Sequence, residues 1–123
     1  MIKKIFRLKE KEVKKVLKKR KPFFSYWIVL NKYKNKLKYN RFAVVIGSKS
    51  VNSWVERNFF RRRFYDFIFT KNLVNQEFDN NWIYYDFVFV VKKEIKLDKK
   101  QQKSINSFDK DLNFLIKNKW KRS

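Results

Sequence analysis

Four of the eight arginines in this chain fall between positions 57 and 63, inside the stretch VERNFFRRRFYDFI, whereas its twenty-five lysines are scattered. Arginine carries a planar fork that grips phosphate through two parallel hydrogen bonds and stacks on flat rings, which lysine cannot do. A composition rich in Lys, Asn, Phe, Ile and Tyr reflects an AT-rich genome and explains many lysines, but it does not explain a cluster of arginines. Trp54, Phe59 and Tyr65 add rings on which unpaired bases can stack, a contact worth about 1–3 kcal/mol per base. The chemistry of this stretch is recognition of phosphate and base. The bland alternative is a solvated helix face with Trp54 tucked against a neighbour.

Bond-breaking chemistry has little to work with. Cysteine and histidine are both absent, which removes disulfides, thiolate nucleophiles, imidazole bases and the usual zinc ligands. The single glycine, Gly47, and the single proline, Pro22, exclude a phosphate-binding Walker loop and a dinucleotide turn, so no nucleotide cofactor is expected. Only carboxylates remain. A protein nuclease would gather them around metal ions about 4 Å apart, and the nearest set is Glu77, Asp79 and Asp86. Asp86 falls inside an aromatic strand, so neither a catalytic residue nor a metal ligand is assigned.

Charge gives the partner class. Lys and Arg number 33 against 11 Asp and Glu, a net charge of +22, and the self-repulsion calls for a polyanion. Nucleic acid is the commonest, and neutralising its phosphates releases counterions, so binding is expected to be salt-sensitive. With 44% hydrophobic and 20% aromatic residues, the chain is no disordered tail, and 123 residues suit a single RNA-binding domain, 1–123. Charges interrupt MIKKIFRLKEKEVKK before a signal-peptide core forms, and no apolar run nears the roughly 18 residues of a membrane span. A cytoplasmic location without membrane contact is expected.

The elements that must carry these residues follow from periodicity. Val13, Val16 and Leu17 share one face of a helix over 9–20, with lysines opposite. FFSYWIVL, 23–30, follows a proline and reads as a strand. KNKLKYN turns the chain into a second strand, RFAVVI, 41–46, and the short connection predicts an antiparallel hairpin. Ser53 is an N-cap, with Glu56 as capping-box partner, for a helix reaching about Thr70. IYYDFVFVVKK, 83–93, is a third strand. A last helix spans 98–118, with Ile105, Phe108, Leu112, Leu115 and Ile116 on one stripe. The order is α-β-β-α-β-α, an α+β arrangement of helices on a small mixed sheet.

On a helical wheel Phe64, Phe67 and Ile68 lie within roughly 80° of Phe60, a stripe able to pack on the sheet. Arg57, Arg61, Trp54, Tyr65, Asn58 and Arg62 fill the adjoining arc. Arg63 and Phe59 flank its far side, and Phe114 points away from the stripe of its own helix.

These residues resemble a family, the protein component of bacterial ribonuclease P. ERNFFRRRFYDF is similar to its Arg-Asn-Arg helix, with Phe59 and Tyr65 standing where arginines are usual and Asp66 where the family has Glu. RFAVVIGSK resembles the strand before that helix, YDFVFVVKK the strand after it, and RLKEKEVKKVLKKRK the first helix. The resemblance implies a ribosomal protein S5 domain 2-like fold with a left-handed βαβ crossover over residues 41–91, whereas such crossovers are right-handed in about 98% of cases. It implies a non-catalytic subunit of an endoribonuclease: the RNA subunit cleaves, using Mg2+, and releases the 5′ leader of precursor tRNA. By the same resemblance Lys49, Arg57, Asn58, Arg61, Arg62 and Arg63 contact the RNA subunit. A cleft between the first helix and the sheet holds the leader. Val13 and Leu17 stand there where the family has aromatic residues, so they are either cleft or core, with Tyr26, Tyr33 or Trp27 as further candidates. The competing readings are a generic RNA-binding or ribosomal protein without a role in tRNA processing, a protein-only nuclease, and a cationic membrane-surface peptide built on the first helix.

Overall fold

A computed structural model describes residues 3–19, 21–47, 50–51, 53–75, 84–92, 95–98 and 100–118, and among these described residues seven principal elements form. Helices α1 (Glu10–Lys18), α2 (Trp54–Thr70) and α3 (Gln102–Asn118) pack on a sheet of β1 (Lys21–Phe24), β2 (Ile28–Lys34), β3 (Arg41–Val45) and β4 (Tyr85–Val91). A one-turn 3-10 helix, Lys4–Phe6, precedes α1. The order across the sheet is β1-β2-β4-β3, with β1 and β2 antiparallel, β2 and β4 antiparallel, and β3 and β4 parallel. This is the expected α+β class. The connection β3-α2-β4 joins neighbouring parallel strands and is the crossover to which the resemblance assigns the left hand.

Two expectations are corrected. The strand expected over 23–30 is two strands, because Ser25, Tyr26 and Trp27 turn the chain: Ser25 N–H bonds the Ile28 carbonyl at 2.9 Å. Asp111 of α3 fixes that turn by accepting from the Trp27 and Ile28 N–H groups at 2.5 and 3.1 Å, a partner more than eighty residues away that no local pattern reveals. The hairpin expected between the strands of 23–30 and 41–46 does not form either. β4 separates β2 from β3, because its run YDFVFVV is apolar on both faces and only a central position buries both.

Alternation along the strands divides the interior. Ile28, Leu30, Phe42, Val44, Phe87, Phe89 and Val91 point to the side covered by α2 and α3, where Phe60, Phe64, Ile68, Phe108, Leu112 and Leu115 complete the main core. Ala43 and Val88 face the other way, under Val16 and Leu8, with Val13, Leu17, Tyr33, Val45 and Val90 around them. This second core is thin. A polar clamp therefore supplements it: Arg41 donates to Asp86 from Nε at 2.9 Å and from its terminal nitrogen at 2.8 Å, and reaches Glu12 of α1 with the other.

Helix α2 starts where Ser53 Oγ accepts from the Glu56 N–H at 3.1 Å, as the N-cap reading requires. It ends without glycine. Asn72 takes a positive φ of 52°, which asparagine tolerates, and Leu73 N–H reaches the Ile68 carbonyl at 3.2 Å. The buried Asn40 then ties this exit to the sheet, donating to the Leu73 carbonyl at 2.8 Å and accepting from Tyr85 N–H at 2.8 Å. Helix α3 begins four residues later than its pattern predicts, after Asp98 has accepted from the Lys100 N–H at 2.9 Å.

Candidate nucleic-acid interface

Rotation of α2 about its axis decides what each arginine can reach. Phe60, Phe64 and Ile68 are buried on the sheet and Phe67 is half-buried at the edge of that stripe, as the wheel predicts. Tyr65, placed by the wheel in the exposed arc, is instead only 7% exposed. The reason is that α2 lies along the outer strand β3, so the arc next to the apolar stripe also meets the sheet. The Tyr65 ring packs edge-on to Phe64 at 5.2 Å. Burial pushes its hydroxyl above the ordinary value, while Arg61, Arg7 and a hydrogen bond with the Val44 backbone oppose the rise.

Beside Tyr65 opens a cleft of about 820 Å³. Its walls come from three elements: Val13 and Leu17 of α1, the β3 edge from Ala43 to Val45, and Arg57 and Arg61 of α2. Lys4, Arg7, Lys9 and Lys14 lie on the rim, with Glu10 among them and paired to Lys14 at 3.3 Å. Apolar floor and cationic rim together match a single polynucleotide strand, whose bases want rings or aliphatic surface and whose phosphates want guanidinium groups. Arg7 sits over the Tyr65 ring, its guanidinium carbon 5.7 Å from the centroid. Among the described residues the Arg57 Nε is buried without a hydrogen-bond partner.

Val13 and Leu17 are therefore both core and cleft: each packs on the thin core beneath α1 and each lines the opening. Tyr33 lies next to them, half-buried, with Lys15 Nζ 5.4 Å from its ring centre. Tyr26 is elsewhere, 79% exposed in the β1-β2 turn, and Trp27 packs there against the main core. The proposed grouping of Tyr26 with the cleft is corrected by the same turn that splits the strand.

On the far flank of α2 a second groove of about 530 Å³ runs against α3, lined by Phe59, Arg62, Arg63, Phe67, Lys71 and Asp109 among others. Arg63 is committed here. It donates to both carboxylate oxygens of Asp109, from Nε at 2.7 Å and from a terminal nitrogen, and its hydrogen bond to Asp109 raises its affinity for its proton. Phe59 stands edge-on to Phe60 at 5.1 Å and is half-buried. Trp54 is 64% exposed, as the reading with a free ring requires, and Asn58 is half-buried. Lys49, Glu77 and Asp79 lie outside the described residues.

Asp86 has a structural partner. Arg41 and Asn35 bond its carboxylate, which leaves it no room in a metal cluster. No group of three or more metal-ligating side chains gathers among the described residues. None of the described helices is long and apolar enough to cross a membrane.

The sequence reading passed over Arg7 and the lysines of the first turn, because they precede or begin α1 and belong to no helical stripe. The signal that could have found Arg7 is its position one residue before Leu8, whose N–H bonds the Phe42 carbonyl at 2.9 Å and adds this segment to the β3 edge.

Comparison with solved structures agrees with the architecture. The RNase P protein of Staphylococcus aureus is similar at a TM-score of 0.66 and 16% identity, covering 94% of this chain and 97% of that one. A mutant of the same protein with defective mRNA degradation activity gives 0.67 and 15%, over 93% and 87%. The Thermotoga maritima RNase P protein, in complex with 1-(4-fluorophenyl)-2-thiourea, gives 0.57 and 20%, over 90% and 92%. No curated protein sequence gives a significant match. The family model for ribonuclease P matches residues 2–118, nearly the whole length over which the cleft, the arginine helix and the sheet are built, and the chain belongs to the ribonuclease P protein component family.

Proposed function

We propose that the chain assembles with the RNA subunit of ribonuclease P and guides the 5′ leader of precursor tRNA, leaving hydrolysis to the RNA. Arg57, Asn58, Arg61 and Arg62, with Lys49, contact the RNA subunit in this reading. Arg63 contributes through its hold on α3 rather than through phosphate. The leader lies as a single strand along Val13 and Leu17, where aliphatic side chains support bases less specifically than rings would. Magnesium belongs to the RNA.

The observation that carries this reading is the convergence of α1, the β3 edge from Ala43 to Val45 and the Arg57-Arg61 face of α2 on one cleft. A generic RNA-binding module needs charge but has no use for such a channel. The direct test is to reconstitute the chain with a bacterial ribonuclease P RNA and compare the affinity for precursor tRNA with that for mature tRNA. The protein should tighten binding of the precursor selectively. Equal tightening of both would assign the chain to generic RNA binding.

A further inference from the structure

Two large rings meet where the end of the β1-β2 hairpin reaches α3. Tyr26 is 79% exposed and Phe114, one α3 residue that its apolar stripe leaves out, 38%. Tyr26, Trp27 and Phe114 border one cavity of about 190 Å³, with Lys110 at its rim, a space for one planar ring. Exposed aromatic groups gathered in this way mark a binding surface.

The surface is held rigid before anything binds. Asp111, only 4% exposed, accepts from two N–H groups of the turn, and Lys92 N–H bonds the Trp27 carbonyl at 2.9 Å. A turn fixed in this way loses little entropy when its rings are covered.

We propose that this hairpin end is a second contact for single-stranded RNA, separate from the cleft. The inference rests on the RNA-binding reading above. Rings beside Lys110 offer stacking to bases and charge to a phosphate between them. A second copy of the chain fits poorly, since each would bring a net charge of +22 to the contact. Duplex RNA fits poorly as well, because its bases are already stacked. The cleft runs along β3, one outer strand of the sheet, and the hairpin includes β1, the other. One RNA partner can therefore be held at both edges.

The test measures the affinity of the full chain for a short oligouridylate by fluorescence anisotropy, with circular dichroism to confirm folding. Tyr26→Ala and Phe114→Ala should each weaken binding about tenfold, the loss of one stacked base, while Tyr26→Phe keeps it. Arg61→Ala serves as a cleft control, and its effect should multiply with that of Tyr26→Ala. Unchanged affinity in both ring variants beside a weakened Arg61→Ala would overturn the inference and leave the proposed function standing. Unchanged affinity in all three would count against the function itself. Ring variants that abolish self-association in sedimentation, with RNA affinity intact, would overturn the inference in favour of a second copy.

Discussion

Arg61 and Tyr65 stand one helical turn apart on α2 and line the same cleft, yet one offers charge and the other closes a seam. Arg61 has its guanidinium beside the opening, so Arg61→Ala should leave stability nearly unchanged. It should weaken RNA binding and make the plot of log affinity against log salt shallower by about one. Arg62→Ala, on the exposed side of the helix, should do the same; a stability loss without a slope change would make these arginines structural. Tyr65→Ala should behave in the opposite way, losing roughly 3 kcal/mol in urea unfolding because a buried ring packed on Phe64 is removed, with the salt slope intact. The arginine cluster was legible from its rarity in a lysine-rich chain. The burial of Tyr65 was not, since a wheel shows which residues share a face but not that a sheet edge lies beside it.

At the scale of elements, α1 depends on a thin core and on the Arg41 clamp. Arg41→Met would leave the Asp86 carboxylate, almost enclosed, without its charge partner, and should cost roughly 3 kcal/mol. Thermal or urea unfolding measures it directly. Burial works to raise the Glu12 carboxyl, but the Lys9 backbone and Arg41 outweigh it and hold the group below its ordinary 4.5. A lowered carboxyl contributes its full stability above the ordinary value and loses it as pH falls through the lowered one. Stability should therefore decline below pH 4.5, and Glu12→Gln should flatten that part of the profile relative to the parent; parallel profiles would show that the clamp does not titrate. Helix positions and the Ser53 cap were readable because they depend on neighbours in sequence. The split of the first strand and the insertion of β4 between β2 and β3 were not, because they depend on Asp111 and on which strand must bury both faces.

For the whole molecule, an excess of 22 positive charges calls for a polyanion, and Lys4, Arg7, Lys9, Lys14, Arg57 and Arg61 set part of that charge around one channel. The family pattern in RFAVVIGSK and ERNFFRRRFYDF implied the β3-α2-β4 crossover between parallel strands, where the short connection alone had suggested a hairpin between β2 and β3. It did not show how Val13 and Leu17 serve, because a residue at the border of a thin core can be packed and accessible at once. Cleavage of precursor tRNA by a bacterial ribonuclease P RNA at low magnesium, with and without this chain, tests the central claim most directly. Marked stimulation is predicted, reduced by Arg57→Ala and Arg61→Ala together; a rate equal to that of RNA alone would contradict it.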